Sequence, residues 1–248
     1  MRTGNARKKR MLPVPVKGLI FDLDGTLADT EGLYQRFWVE AAHDLGYPME
    51  RKHALMIRSM ASAVAGPLMR REVCPDFDYE AVRDRRRVIM AAWMEEHGVE
   101  AKRGAGEILR FAGERGIPVA LATTTPLARV EKVLDRLGFR QFITEIVSGD
   151  MIEHGKPEPD IYLKAAGRLK IAPEEAVGVE DSPTGIRACS AAGLYTVLIP
   201  DQDEPDAETA TLCDAVLPSL FALRELLTYA GPEGPGSGGG FQPAAKRV

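Results

Sequence analysis

The sequence predicts an α/β fold, a Rossmann-like doubly wound parallel sheet core with an inserted all-helical cap domain. Short apolar segments alternate with amphipathic segments from about residue 102 onward, which is the order of strands and helices in such sheets. The strand candidates are apolar on both faces, as a sheet covered by helices on both sides requires. Residues 31–100 contain no convincing strand, and they separate the first strand candidate from the others.

The strand and helix candidates follow each other along the chain. Strands are predicted at Val16–Phe21, Ile117–Thr123, Phe142–Ser148, Ala176–Val179 and Tyr195–Ile199. Helices between them are predicted at Glu107–Arg115, Leu127–Leu137, Pro159–Leu169 and Pro183–Ala192. Gly138 and Gly193 directly follow two of these helices, where glycine commonly ends a helix.

The segment between the first two strands is predicted to be helical throughout. Its helices are expected at Glu31–Leu45, Glu50–Met60, Ser62–Glu72 and Tyr79–His97. The predicted organisation is therefore a discontinuous core domain, residues 12–30 and 103–230, with a cap domain of residues 31–102 over the carboxyl edge of the sheet. Residues 1–11 and 231–248 are expected to be flexible ends, and the second is rich in glycine and proline.

Composition excludes several classes of function. The chain has 248 residues and a net charge of −4, so no broad basic field is present to hold nucleic acid. No run of about 18 apolar residues occurs, so no membrane span is expected. The cysteines Cys74, Cys189 and Cys213 match no metal or redox spacing, and we expect them to be reduced and buried. These features predict a cytoplasmic globular protein.

Two acidic residues end the first strand candidate. Because side chains of a strand alternate between its faces, Asp22 and Asp24 point the same way at the carboxyl end, where α/β proteins bind ligands. The pair is also compatible with a polar turn. A calcium-binding loop that starts at Asp22 is excluded, because Leu27 and Leu33 stand where that loop needs glycine and an acid.

Four motifs together resemble the haloacid dehalogenase superfamily of phosphohydrolases. The segment FDLDGTLADTE, residues 21–31, resembles its first signature, and Thr123 closes a later strand as in the second. Lys156 in GKPEPDIY resembles the third signature, and Glu180–Asp181 in VEDSPTG resembles the fourth. The resemblance covers residues 16 to 228. Each motif alone also has an ordinary structural explanation, but their order and placement at strand ends favour the superfamily.

The resemblance implies a magnesium-dependent phosphatase. Asp22 would be the nucleophile that forms an aspartyl-phosphate, and Asp24 would be the general acid and base. The Mg²⁺ ligands would be the Asp22 and Asp181 carboxylates and the Asp24 carbonyl, with Glu180 as a ligand or beside the ion. The phosphate would be bound by the Thr123 hydroxyl, the backbone at Thr124 and the ammonium group of Lys156.

The helical insertion resembles that of the β-phosphoglucomutase-like subgroup. Tyr34 stands where the mutase has a cap histidine, and Arg58, Ser59 and Met60 do not match the mutase's phosphate-binding loop. Both differences favour a phosphatase over a mutase, which stays the alternative. The segments LATTTP and GDMIEHGKPEPDIY resemble hydrolases that act on sugar phosphates. The expected partner is a small phosphorylated sugar or polyol, and the expected state is a monomer.

Other functions of related folds are less compatible with the sequence. Dehalogenases and phosphonate-cleaving enzymes of the superfamily lack the second aspartate, which is present as Asp24. A non-catalytic phospho-acceptor or scaffold module is a further alternative, but it needs no cap. The arginine run of residues 83–87 is expected to be a solvated helix face, and His154 is expected to be structural.

Overall fold

The computed structural model describes residues 9–57, 60, 62–201 and 205–229. The chain divides into two compact units, Met1–Ala28 with Ala101–Val248, which we call the sheet unit, and Asp29–Glu100, which we call the helical unit. The predicted ranges for core and cap were 12–30 with 103–230, and 31–102. That the two units act as a catalytic domain and its cap stays a prediction.

The sheet unit contains a six-stranded sheet in which every neighbouring pair of strands is parallel. Its strands are β1 (Gly18–Phe21), β2 (Val119–Thr123), β3 (Glu145–Ser148), β4 (Ala176–Glu180), β5 (Tyr195–Leu198) and β6 (Ala215–Val216). Their order is β3-β2-β1-β4-β5-β6, so the direction of winding reverses between β1 and β4. The predicted Rossmann-like fold is confirmed, and the ligand site of such sheets lies at that reversal.

The helical unit has four helices among its described residues, and no strand. They are α1 (Glu31–Asp44), α2 (Arg51–Met56), α3 (Ser62–Glu72) and α4 (Tyr79–His97). The unit has a core of its own, in which Met49, Met69, Phe77 and Val82 are buried. The helix predicted over residues 50–60 ends at Met56, and residues 58 and 59 lie outside the described part of the chain.

The arginine run on α4 is only partly the solvated face that the sequence predicts. Arg83, Arg85 and Arg87 form ion pairs at the surface with Glu80, Asp44 and Asp84, respectively. The Arg86 guanidinium instead lies over aromatic rings of α1, with its carbon 4.8 Å from the ring centroid of Tyr34 and 4.7 Å from that of Trp38. Such stacking is a cation–π contact, and it joins α4 to α1.

Helices cover the sheet. They are α5 (Ala105–Glu114), α6 (Leu127–Leu137), α7 (Asp160–Leu169), α8 (Pro183–Ala192), α9 (Ala207–Leu212) and α10 (Leu220–Tyr229). In the core, Ile161 and Tyr162 of α7 cluster with Ile20 of β1 and Val147 of β3, and all four are fully buried. The sequence did not predict β6, α9 or α10. Cys189 and Cys213 are buried as expected, but Cys74 is only partly buried.

The chain leaves and re-enters the sheet unit at adjacent positions. Ala28 and Ala101 form an antiparallel bridge. On either side of it, Lys102 donates its backbone N–H to Leu27 O at 2.8 Å, and Asp29 donates to Glu100 O at 2.9 Å. The two connecting segments are therefore hydrogen-bonded to each other where the helical unit begins and ends.

Candidate active site

Asp22 follows β1 directly at the reversal of the sheet. Its backbone N–H donates to Val179 O of β4 at 3.0 Å, so the ladder between these strands continues to the residue that carries the carboxylate. The side chain is nearly buried, with 10% of its surface exposed. Asp22 therefore lies beside the end of β4, where Glu180 is the last residue and Asp181 follows.

The turn after Asp22 brings the chain against Asp181. Gly25 has a φ of +83°, and a Cβ atom at this position would lie 2.2 Å from Asp181 Oδ2. Only glycine accepts both the left-handed backbone and that close approach. Thr26 donates its hydroxyl to Asp181 Oδ1 at 3.4 Å. The turn thus places Asp181 close to the end of β1.

Lys156 joins the two strand ends electrostatically. Its Nζ lies 2.5 Å from Asp22 Oδ1 and 2.5 Å from Glu180 Oε1. The lysine side chain is 6% exposed and that of Glu180 is fully buried. One buried cation is therefore shared by two carboxylates, and these short charge-assisted hydrogen bonds fix its position.

Glu180 accepts hydrogen bonds on both carboxylate oxygens. Oε1 accepts from Lys156 Nζ and, at 2.6 Å, from the Tyr162 hydroxyl. Oε2 accepts from the Asp181 N–H, the Ser182 N–H and the Ser182 hydroxyl, at 3.2, 3.4 and 3.1 Å. A Cβ atom at Gly185, in the first turn of α8, would lie 1.9 Å from this carboxyl group, so the absence of a side chain there makes room for Glu180.

The second aspartate of the motif is held by a threonine. Thr125 donates its hydroxyl to Asp24 Oδ2 at 2.6 Å, and its backbone N–H donates to Thr123 Oγ1 at 3.1 Å. Thr123 and Thr125 are both nearly buried, whereas Thr124 between them is exposed. Sequence reasoning missed Thr125, and the only signal was its place in a run of three threonines after β2.

The buried charges change the proton affinities of the site. Burial raises the pKa of Asp22 from 3.8 to about 7, although the charge of Lys156 opposes this. Burial by itself would lower the pKa of Lys156, but the carboxylates of Asp22 and Glu180 raise it above its ordinary value. Burial also raises the pKa of Tyr162 well above 10, so its hydroxyl keeps its proton and donates it to Glu180.

The same carboxylates are suited to a divalent cation. One oxygen each of Asp22, Glu180 and Asp181 lies within 4.8 Å of the others. Carboxylate and carbonyl oxygens are the ligands that Mg²⁺ prefers, and Mg²⁺ commonly uses only one or two protein carboxylates. This donor set therefore fits a magnesium ion.

Other predicted residues lie elsewhere or outside the described chain. Tyr34 and Met60 belong to the helical unit, and Arg58 and Ser59 are not among the described residues. His154 is exposed, with Nδ1 3.0 Å from Asp160 Oδ2. No helix within the described ranges is both long and apolar enough to cross a membrane.

Comparison with known proteins gives a consistent family match. The family of haloacid dehalogenase-like hydrolases matches residues 16–193. A phosphorylated carbohydrates phosphatase of Thermotoga maritima is 31% identical over 187 residues, which are 73% of this chain and 84% of the relative. Hexitol phosphatase A of Escherichia coli K12 is 33% identical over 225 residues, which are 88% of this chain and 96% of the relative.

A solved structure shares the fold and the predicted subgroup. The crystal structure of a putative β-phosphoglucomutase from Thermotoga maritima superposes with a TM-score of 0.68 at 27% sequence identity. The match covers 85% of this chain and 98% of that one.

Proposed function

Because this chain belongs to the family of haloacid dehalogenase-like hydrolases, we propose that it is a magnesium-dependent phosphatase that acts on sugar or polyol monophosphates through an aspartyl-phosphate. The observation that carries the proposal is the contact between Asp22 and Lys156 at the reversal of the sheet. A buried carboxylate beside a fixed ammonium group suits a nucleophile whose target, a phosphate, is itself negatively charged.

The proposed reaction has two steps at Asp22. In the first, a carboxylate oxygen of Asp22 attacks phosphorus, the bond from phosphorus to the ester oxygen breaks, and Asp24 gives a proton to that oxygen. In the second, Asp24 takes a proton from a water molecule whose oxygen attacks phosphorus. The bond between phosphorus and Asp22 then breaks, which releases inorganic phosphate and restores the carboxylate.

The proposed ligands of Mg²⁺ are the carboxylates of Asp22 and Asp181 and the backbone carbonyl of Asp24. The cation would polarise the phosphoryl group and offset the repulsion between it and the nucleophile. Glu180 also belongs to the predicted set, but its two oxygens already accept five hydrogen bonds. We therefore place Glu180 beside the ion, as the group that holds Lys156.

The proposed phosphate contacts come from the end of β2 and from the loop that carries Lys156. Thr123 Oγ1 accepts a bond from the Thr125 N–H, so its own proton is directed elsewhere and suits a phosphoryl oxygen. Lys156 would neutralise the charge that spreads over these oxygens in the transition state. Thr124 would contribute its backbone N–H.

The substrate class is inferred from the relatives. Two of them are named as phosphatases of phosphorylated carbohydrates and of hexitol phosphates. For this chain we propose a sugar or polyol monophosphate as substrate. The mutase alternative has less support, because Tyr34 stands in place of the mutase's cap histidine.

The test is release of inorganic phosphate from a panel of hexose, pentose and hexitol monophosphates. It uses wild type and Asp22→Asn, each with Mg²⁺ and with EDTA. We expect release that requires Mg²⁺, and a loss of at least about a thousandfold in the nearly isosteric variant. Acid-quenched wild type is expected to carry one phosphoryl group on the peptide that contains Asp22.

Two outcomes would contradict the proposal. Turnover of Asp22→Asn at the rate of the wild type would remove Asp22 as nucleophile. Interconversion of hexose phosphates after addition of a hexose bisphosphate, without net release of phosphate, would favour the mutase instead.

A further inference from the structure

The site contains a buried tyrosine to which neither the motifs nor the proposed mechanism assigns a role. Tyr162 is fully buried, and its hydroxyl donates to Glu180 Oε1 at 2.6 Å. Lys156 Nζ donates to the same oxygen at 2.5 Å. The same ammonium group lies 5.2 Å from the centroid of the Tyr162 ring.

The position of the hydroxyl is fixed by the core. Tyr162 lies in the first turn of α7, and the buried face of this helix packs against β1, β2 and β3. Its backbone N–H donates to Pro159 O at 3.0 Å, which ties the start of the helix to the loop that carries Lys156. A packed ring of this kind has little freedom to move.

The two oxygens of Glu180 have different neighbours. Oε2 is held by the backbone and side chain at the start of α8, through Asp181 and Ser182. Oε1 meets only Lys156 and Tyr162 among the hydrogen bonds of the described residues. The tyrosine hydroxyl therefore competes with the lysine for this oxygen, while Asp22 Oδ1 attracts the lysine from its other side.

We propose that Tyr162 is a positioning residue, whose hydroxyl limits the hold of Glu180 on Lys156 and so keeps the ammonium group against Asp22 and the phosphoryl oxygens. This inference rests on the proposed phosphatase function, since the phosphoryl oxygens that Lys156 is proposed to neutralise belong to that reaction. Loss of the hydroxyl leaves Oε1 to the lysine alone, so the ammonium group shifts toward Glu180 and away from Asp22.

The test is Tyr162→Phe, which removes the hydroxyl and keeps the ring. With a sugar monophosphate that the wild type hydrolyses, we expect kcat to fall about tenfold, the size of one lost hydrogen bond to a charged group, and KM to stay within about twofold. The matched control is Tyr195→Phe on β5. Tyr195 is also buried, but its hydroxyl makes no hydrogen bond among the described residues, and the control is expected to match the wild type.

The alternative is that the Tyr162 hydroxyl stabilises the fold and does not position Lys156. In that case the melting temperature of Tyr162→Phe would fall, but kcat per folded molecule would stay within about twofold of the wild-type value, and the proposal would be overturned. A rise in KM at constant kcat would also overturn it, because the lysine would then act in substrate binding alone.

A structural readout separates failure of this inference from failure of the proposed function. If the wild type hydrolyses no ester of the panel, the phosphatase proposal fails. Crystal structures of metal-free wild type and Tyr162→Phe then show whether the Tyr162 hydroxyl positions Lys156. An ammonium group of Lys156 that has left hydrogen-bonding distance of Asp22 in the variant supports the inference, and an unmoved one overturns it.

Discussion

Thr125 holds the second aspartate of the first motif in place. Its hydroxyl donates to Asp24 Oδ2 at 2.6 Å, so in the proposed reaction the transferred proton belongs on Oδ1 of Asp24. A hydrogen bond of this kind fixes which carboxylate oxygen faces the leaving group.

Removal of this hydroxyl should slow proton transfer. We expect Thr125→Val to lower kcat about tenfold on a sugar phosphate, whose alkoxide leaving group needs a proton. The loss should be much smaller on p-nitrophenyl phosphate, whose leaving group departs without one. Thr125→Ser keeps the hydroxyl and is the control. An equal loss on both substrates would show that Thr125 does not act through Asp24.

For single residues, the sequence identifies the charged groups and Thr123 but gives no role to the hydroxyls of Tyr162 and Thr125. Asp22, Lys156 and Glu180 are recognisable because they stand within known motifs, and the structure brings Asp22 and Glu180 each within hydrogen-bonding distance of Lys156. Tyr162 and Thr125 stand in the segments GKPEPDIY and LATTTP, but nothing in those segments gives either hydroxyl a role. A tyrosine inside a helix and a threonine after a strand are common in any core, and only coordinates show where a hydroxyl points.

Among the elements, α8 can begin beside Glu180 only because residue 185 is a glycine. Ser182 caps the helix by accepting from the Gly185 N–H at 3.1 Å. A Cβ atom at Gly185 would overlap the Glu180 carboxyl group. The first turn of α8 and the Glu180 carboxylate thus share one space, and a side chain at residue 185 excludes the carboxylate.

Two glycine-to-alanine changes in neighbouring helices should therefore have opposite effects. Gly185→Ala should destabilise the protein by about 2 kcal/mol or more and abolish activity, because Glu180 must leave its pocket. Gly167→Ala in α7, where a Cβ atom meets nothing within 4 Å, should stabilise it by about 0.4–1 kcal/mol. Urea unfolding measures both. A Gly185→Ala variant with normal stability and turnover would contradict this account of α8.

The elements that the sequence missed are short or lie near the end of the sheet. β6 has two residues, and α9 has six, so neither is long enough for a hydrophobic period to be recognised. The start of α9 does carry a signal, since Asp206 accepts from the Thr209 N–H at 2.7 Å as an N-cap. The strands β1, β2, β4 and β5 were predictable because their apolar runs are buried on both faces, and β3 is buried after its half-buried first residue, Glu145.

For the whole molecule, the buried acid at Asp22 links stability to pH. Its pKa rises on folding from 3.8 to about 7 in the absence of metal, so between these values the folded protein holds a proton that the unfolded chain has lost. Stability from this group is therefore greatest below about pH 4 and falls as pH rises to 7, by at most about 1.4 kcal/mol per pH unit.

A comparison of two proteins isolates this effect. Wild type and Asp22→Asn in EDTA share all other carboxylates, so the difference in their free energies of unfolding reports Asp22. Between pH 4.5 and 7.5, we expect the free energy of unfolding of the wild type to fall relative to that of the variant. Above pH 7, we expect added Mg²⁺ to stabilise only the wild type, since metal binding needs the ionised acid. A difference that does not change with pH would show that Asp22 ionises normally in the folded protein.

The paired connections at Ala28 and Ala101 have a consequence for how such a chain can change over generations. The two connecting segments are hydrogen-bonded to each other, like the two strands at the base of a β-hairpin. The helical unit takes the place of the hairpin's loop in the chain. The entropy cost of closing the chain between these joined segments grows only slowly with the length of the insertion, by about 0.6 kcal/mol for each doubling. An insertion at this point can therefore be lengthened, shortened or exchanged by recombination. The strands β1 and β2 and the carboxylates of Asp22 and Glu180 are then inherited unchanged.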